Sequence, residues 1–421
     1  MATPADEELR SAVLALREQH PVLGISKFHA LLLEGQPGWS VSEKRMRRFL
    51  PAPPTTTPLG RTGEIYPSSR LIDDLELEKW TGAVEVKLFD KKKGKGLIAK
   101  RAIAEGETVW KEDPFVIAPE WDIYDLVYSS RACGSCTTPL TDSPLVLPCP
   151  ASSSSTFCPI RFCNRLCLSR STRTHPLVCA AQNPSCVPLL AFARRTEWLA
   201  LHALTQCAAR MMLAPTAGAR KADWTVFEAF AVLSMEERAK SRWYGGAEPD
   251  RAAWQNAHQL YVQAFRPSSP AAQKKFARLV KLPLPDDIAD ALFSYDGFLA
   301  GLGRMSLNLE AHGGLYTLHS HLNHDCTPNI SVRHLDQRTA LSRITLIARR
   351  DISAGEELVV TYVYPELGVR ERRGNLGAWG FGECQCERCK REENDPDVVS
   401  IGTQADMHDL ERELKAGLGV L

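Results

Sequence analysis

Asn323-His324-Asp325-Cys326-Thr327-Pro328-Asn329, followed after 25 intervening residues by Gly355-Glu356-Glu357-Leu358-Val359-Val360-Thr361-Tyr362 and then by Cys384-Gln385-Cys386-Glu387-Arg388-Cys389, is the stretch on which the reading of this chain turns. The first segment sets an amide, an imidazole and a thiol in a polar turn closed by Pro-Asn. In the second, Ala354-Gly355 forms a turn and Leu358 to Tyr362 has strand character. The third supplies three thiols, one ligand short of a tetrahedral zinc site, and Cys326 is the candidate for the fourth because it has no partner nearby in sequence.

Working outward, residues 341–347 also read as a strand. Residues 84–119 alternate and carry glycines at 94, 96 and 106, as short antiparallel strands joined by turns do. Between these regions lie a cysteine cluster and then residues 189–304, rich in Ala, Leu, Trp and Arg at helical periodicity. At the N-terminus Leu9, Val13 and Leu16, then Ile25, Phe28 and Leu32, predict short helices, three in all. The third is expected to start at Ser40, capped together with Glu43, and to carry Lys44, Arg45, Arg47 and Arg48. Four prolines between residues 51 and 58, around a threonine run, read as a linker.

The 421 residues correspond to about two to four domains. Hydrophobic residues make up 44% and charged ones 24%, which excludes a wholly disordered chain. No apolar run approaches the ~18 residues of a bilayer span, so no membrane association is expected. The start, Met1-Ala2-Thr3-Pro4, leads into a charged helical pattern without a signal-peptide core, which predicts an intracellular protein. Lys plus Arg is 51 against 50 for Asp plus Glu, so any attraction to nucleic acid must be local.

Cysteine is the informative count: 13, eight of them between residues 133 and 186. In an intracellular chain such clustering points to metal or catalysis before disulfides. Cys133-x2-Cys136, Cys163-x3-Cys167 and His175-x3-Cys179, with Cys149 and Cys158 between them, offer eight ligands in 47 residues, enough for two zinc sites. Because the pairs alternate along the chain, an interleaved assignment is expected: Cys133, Cys136, Cys163 and Cys167 on one ion, and Cys149, Cys158, His175 and Cys179 on the other. Cys326, Cys384, Cys386 and Cys389 make a third site. Cys186 and Cys207 are expected to be packing residues.

Gly94-Lys95-Gly96-Leu97, the Asn-His-x-Cys-x-Pro-Asn segment and the Gly-Glu-Glu-Leu strand ahead of a Cys-x-Cys-x2-Cys tail, in that order, resemble the SET-domain protein lysine methyltransferases. The inserted cysteine cluster looks like a MYND finger, and the order of parts resembles the SMYD group, most of all its short subgroup with the fungal Set-five type. The resemblance implies an α+β fold: a SET β-fold interrupted by a MYND zinc finger and a helical insert, with a zinc-bound post-SET tail and a small helical N-terminal domain. The corresponding divisions are a helix-turn-helix-like unit (1–58), a linker (59–83), the SET N-terminal part (84–130), the MYND-type finger (131–180), the helical insert (187–304), the SET C-terminal part (305–365), the post-SET segment (366–392) and a tail (393–421). It further implies that S-adenosylmethionine is held by Lys93, Gly94, Lys95, Gly96, Asn308, Asn323, His324, Tyr362 and Phe381, with Tyr362 beside the transferred methyl group as the catalytic residue. Two spacings depart from the family pattern. Cys149 and Cys158 are separated by eight intervening residues instead of two, and the tail Phe381-Gly382-Glu383-Cys384 is one residue longer than usual.

Methyl transfer from a sulfonium to an amine is an in-line displacement that needs alignment and exclusion of water and no nucleophilic side chain. The acceptor lysine must lose a proton, which costs about 4.6 kcal/mol at pH 7 from a reference pKa of ~10.4. Tyr362 is therefore expected to position the amine. The implied partner is a protein lysine, on a histone or a ribosomal protein, and the implied location is the nucleus, the cytoplasm or both, for a monomer holding three zinc ions. A second function class is an adaptor that binds through the zinc finger, or associates with nucleic acid, around a catalytically weak SET core. Residues 1–58 add a further expectation, weak phosphate contacts through the basic third helix.

Overall fold

The two strand regions on either side of the cysteine cluster and helical insert close on each other in space. The protein is described by a computed structural model in which residues 4, 6–19, 25–46, 66–141, 144–240, 250–336, 338 and 340–393 are placed. Its strands are β1 (Val84–Leu88), β2 (Lys95–Ala99), β3 (Thr108–Glu112), β4 (Val116–Ile117), β5 (Leu147–Pro148), β6 (Arg161–Phe162), β7 (Gly314–Leu315), β8 (Asn323–His324), β9 (Ile330–Arg333), β10 (Ile344–Ala348) and β11 (Glu357–Val360). They form sheets of order β1-β2-β11-β8 and β3-β10-β9, with the pairs β4-β7 and β5-β6 apart.

The first sheet carries the site. β11 runs antiparallel to β2, Leu358 opposite Leu97, and parallel to β8, Val359 opposite Asn323 and Val360 opposite His324. Three motifs far apart in sequence thus become neighbours in one sheet. The driving force is burial: every residue of β2 is buried, and Leu97 and Leu358 are wholly so, packed with Tyr316, Leu322, Ile330 and Leu346.

The insert is helical as its periodicity predicts, and it has its own core around the helix Leu199–Met212, eleven of whose residues are buried. Short polar residues begin its helices. Thr216, Asp250, Ser269 and Ser294 each accept a backbone N–H three residues on, which satisfies donors that a helix start leaves open. The cysteine-rich segment packs on Ile123, Val127, Ala340 and Leu341. Helices Val369–Ala378 and Glu387–Glu393 end the described chain.

The chain divides into two compact units, Met1–Ile65 and Tyr66–Leu421. In the first, helices Asp6–Gln19, Ile25–Gly35 and Glu43–Met46 enclose Leu9, Val13, Leu32, Val41 and Met46. The third helix starts later than expected. Val41 is buried and its carbonyl accepts from His29 Nε2 at 2.7 Å, which keeps the chain extended through it, so the helix is capped by Ser42 and not Ser40. Of the four predicted basic residues, Arg45 donates to the Pro4 carbonyl at 2.8 Å; Arg47, Arg48 and the side chain of Lys44 lie outside the described residues, as do the linker residues 51–58. Residues 66–83, expected in the linker, belong to the second unit. Among the described residues no helix is long and apolar enough to cross a membrane.

Candidate active site

The turn between β1 and β2 is fastened by its own backbone. Phe89 N–H donates to Gly94 O and Gly94 N–H to Asp90 O, each at 2.8 Å, and the Asp90 carboxylate accepts from Lys92 and Lys93 N–H. Those two backbone donors hold the Asp90 carboxyl below its ordinary pKa, Lys93 first. Gly94 sits at φ +70°, where a side chain would be strained. Gly96 is required for a different reason: a Cβ there would lie 2.5 Å from the Phe89 ring and 2.9 Å from Asn323 Nδ2. That close approach lets Asn323 Nδ2 donate to the Lys95 carbonyl at 3.0 Å and to Glu357 Oε1 at 2.9 Å, while Lys93 pairs with the other Glu357 oxygen.

Tyr362 stands at the end of β11. Its hydroxyl donates to the Leu322 carbonyl at 2.6 Å, and its backbone N–H donates to His324 Nδ1 at 3.0 Å. Its ring centroid lies 5.4 Å from that of His324 and 5.0 Å from that of Phe381. Burial pushes the phenol above its usual pKa, with the Glu357 charge adding to it, so at neutral pH it is a hydrogen-bond donor. Burial pushes His324 down to about 4, so the imidazole is neutral. With Nδ1 accepting, Nε2 carries the proton and faces Cys326 Sγ at 3.3 Å.

Lys95 and Asn308 serve a second purpose. Lys95 is buried and its ammonium donates to Ala229 O at 2.8 Å and Ser320 Oγ at 3.1 Å. Burial, then the nearby Arg304 charge, bring its pKa down to about 7. Asn308 grips Ala231 at both its N–H and its carbonyl, and Arg304 donates to the carbonyls of Phe227, Glu228 and Phe230. The segment from Phe227 to Ala231 is thus held from the glycine turn and from the helix Tyr295–Asn308.

All twelve metal-ligand candidates come together, in the three sets expected: Cys133, Cys136, Cys163 and Cys167; Cys149, Cys158, His175 and Cys179; Cys326, Cys384, Cys386 and Cys389. Within each set the ligand atoms lie within 4.8 Å of one another. Sulfurs ~2.3 Å from a tetrahedral zinc would be about 3.8 Å apart. The separations Cys136–Cys163 (3.7 Å), Cys149–Cys179 (3.8 Å), Cys326–Cys384 (3.9 Å) and Cys326–Cys389 (3.5 Å) match that edge, so the donor sets fit zinc. Crowding favours one ionised sulfur in each set: donation from neighbouring thiols holds Cys133, Cys179 and Cys389 below their usual pKa, while the donors Cys136, Cys158, Cys167 and Cys384 are pushed up.

Two contributors escaped the sequence reading. Glu112, on the inward face of β3, accepts from Leu318 N–H (2.8 Å), His319 N–H (3.0 Å) and Trp110 Nε1 (3.2 Å), which anchors the turn His319–His321 that leads into Asn323. Burial raises it to about 7 against those backbone donors. Arg372 is wholly buried, pairs with Glu392 and points Nη2 at Cys389 Sγ (3.6 Å), so a cation lies beside the third thiol set. A charged residue on the apolar phase of its element was the only available signal. His312, His319, His321 and His334 lie outside the Tyr362 cluster, the first and last stacked edge-on at 4.0 Å beside Glu310. Cys186 and Cys207 are buried as packing residues. A cavity of about 320 Å³ lies between the cysteine-rich segment and the insert, lined by Phe115, Tyr128, His202 and Arg210 among others, and none of the candidate cofactor residues borders it.

The SET-domain profile matches residues 94–363, beginning at Gly94 and ending one residue past Tyr362. The chain belongs to the SET-domain family. The chain is 31% identical to Histone-lysine N-methyltransferase SET5 of Mycosarcoma maydis over 337 residues, covering 72% of this chain and 66% of that one. With the protein of the same name from Yarrowia lipolytica it shares 30% over 404 residues (93% and 83%), and with that of Scheffersomyces stipitis 28% over 425 residues (92% and 81%). This SET-domain protein is accordingly a protein-lysine N-methyltransferase. It also overlays the crystal structure of the SET domain of LSMT bound to lysine and AdoHcy, at 11% identity and TM-score 0.34 over 76% of this chain and 54% of that one, too loosely to align residues.

Proposed function

We propose that this chain uses S-adenosylmethionine to methylate lysine on a histone, with Tyr362 as the catalytic residue. The observation that carries the reading is the convergence on Tyr362 of three separate pieces, the β8 imidazole through Tyr362 N–H, the Leu322 carbonyl through its hydroxyl and the Phe381 ring at 5.0 Å, while Asn323, next to His324 in β8, ties the Gly94–Gly96 turn to the same strand. The residues suit the cofactor. Gly96 lets Asn323 lie against the turn where any Cβ would displace it, Asn323 and the Lys93–Glu357 pair supply polar partners, and the faces of Tyr362 and Phe381 suit a sulfonium.

S-adenosylmethionine supplies an electrophilic methyl group on sulfur. Lys93, Gly94, Lys95 and Gly96 would hold it together with Asn323, which lies against that turn, and with His324, while Asn308 would act through the Ala231 backbone that it grips. Tyr362 aligns the acceptor amine, and its raised pKa makes it a donor and positioner and not a proton acceptor. The burial that raises the Tyr362 phenol would likewise favour the neutral form of an amine beside it. The three donor sets, two in a MYND-type finger and one in a post-SET tail, would hold structural zinc. Cys326 of the third set meets His324 Nε2, so loss of that metal would reach the active site through one contact. The relatives' printed name supplies the histone substrate and, with it, a nuclear site of action.

The test is mass spectrometry of recombinant histones, and in parallel of a cell extract, after incubation with the full-length protein and methyl-labelled S-adenosylmethionine. Label on a histone lysine is the expected result. Label only on extract proteins would move the substrate class, and no label with no cofactor binding would overturn the reading.

A further inference from the structure

Residues 66–70, Tyr-Pro-Ser-Ser-Arg, were expected in a linker and fall in no recognised motif. Their contacts set them around the Gly94–Gly96 turn and the Phe381 tail. At one end the Tyr66 ring lies 3.4 Å from the position a Cβ would take on Gly382, next to Phe381, with the Lys92 ammonium 5.2 Å above its centroid. At the other end Ser69 Oγ accepts from Lys95 N–H at 3.4 Å and lies 2.8 Å from where a Cβ on Gly94 would be. Between them Ser68 exchanges both backbone hydrogen bonds with Val232, at 2.9 and 2.8 Å. Val232 directly follows the segment that Lys95, Arg304 and Asn308 hold, so the anchor point is itself fixed. Pro67 has a restricted φ, which lowers the entropy lost in ordering the piece.

We propose that residues 66–70 form a wall of the methyl-donor site, with the Tyr66 ring in contact with bound S-adenosylmethionine and the Ser69 hydroxyl fixing the glycine turn. This inference rests on the S-adenosylmethionine reading above. A segment tied to the glycine turn at one end and to the Phe381–Gly382 corner at the other spans the two pieces that hold the cofactor, and Tyr66 adds an aromatic face beside Phe381. Tyr66 and Ser69 act on binding of the donor and have no part in aligning the acceptor amine.

The experiment measures S-adenosylmethionine binding by calorimetry and steady-state kinetics in the full chain for Tyr66→Ala, Tyr66→Phe and Ser68→Pro. Tyr66→Ala is expected to raise Kd and the KM for S-adenosylmethionine about tenfold, with kcat at saturating donor and the KM for the acceptor little changed. Tyr66→Phe should restore binding, and Ser68→Pro, which deletes one bond to Val232, should weaken it. Hydrogen exchange at Ser68 and Ser69 should slow when S-adenosylmethionine is added. Wild-type Kd in both Tyr66→Ala and Ser68→Pro would overturn the inference alone, and so would a loss confined to kcat. A wild-type protein that binds no S-adenosylmethionine would overturn the parent reading, and the inference with it.

Discussion

Gly96→Ala tests the site at its narrowest point. The added Cβ meets the Phe89 ring at 2.5 Å, Asn323 Nδ2 at 2.9 Å and Glu357 Oε1 at 3.1 Å. Phe89 is only partly buried and can swing away at little cost. Asn323 and Glu357 cannot, because the amide is already bonded to the carboxylate at 2.9 Å and to the Lys95 carbonyl at 3.0 Å. Relief requires the amide to move by about half an ångström, an overpacking cost of roughly 1–3 kcal/mol. A displaced amide also loses its hydrogen bond to a charged acceptor, roughly 1.5–3 kcal/mol. If even 1.4 kcal/mol of that falls on cofactor binding, Kd rises about tenfold. Titration calorimetry with S-adenosylmethionine and thermal unfolding of the same samples measure the two parts. Gly106→Ala is the control: unlike Gly96 it sits at positive φ, and nothing lies within 4 Å of its Cβ, so it should lower stability through backbone strain alone and leave cofactor binding unchanged. A Gly96→Ala protein whose Kd stays within about twofold of wild type would refute the claim that the Asn323 amide belongs to the cofactor site.

Tyr362→Phe should fold and bind S-adenosylmethionine as wild type does but lose about a hundredfold in turnover, because the hydroxyl acts on alignment; undiminished single-turnover rates would make Tyr362 a packing residue. Elemental analysis should find three zinc ions per chain, and Cys326→Ser should release one of them and also weaken S-adenosylmethionine binding through His324; unchanged metal content in that variant would break the third donor set. Burial holds His202 and His319 down to about 4, so between pH 6.5 and 4 the unfolded chain takes up protons that the folded one refuses. Stability should fall as pH drops through that window, by up to about 3 kcal/mol for each, and neither should contribute above it. Denaturant midpoints from pH 7.5 to 5 should show a gentler slope in His202→Gln than in wild type, and identical slopes would count against this origin.

The metal sets were legible because ligand chemistry needs thiols in close pairs, and pair spacing survives in a linear sequence. The sheet was legible for a similar reason: β2 and β11 are apolar runs next to glycine turns. What the sequence could not display is contact made by side chains with no periodicity to betray them. Residues 66–70 are a short polar piece whose composition is that of a linker, yet backbone bonds to Val232 fix it. Asn308 matched a cofactor-facing position in the family, and only the fold discloses that its amide is committed to Ala231. On paper Ser40, with Glu43 three residues on, is the better cap than Ser42, which has Arg45 there. The buried Val41 decides between them, and that is a tertiary fact.

The pairing of β2 with β11 also sets a clock for biosynthesis. β2 is complete at Ala99 and its partner begins at Glu357, so about 260 residues must be made before the edge is covered; at 5–20 residues per second that takes roughly 13–50 s. During that interval β1 and β2 can form a hairpin, but the other edge of β2 offers unpaired backbone groups, beside the apolar side chains of Leu97, Ile98 and Ala99, to any passing strand. The cysteine-rich segment and the helical insert emerge meanwhile and can fold on cores of their own, which shortens the loop that β11 must finally close. Tyr362, the proposed catalytic residue, is among the last residues of that sheet region to leave the ribosome, so a complete site can arise only in a chain whose intervening parts have already been made.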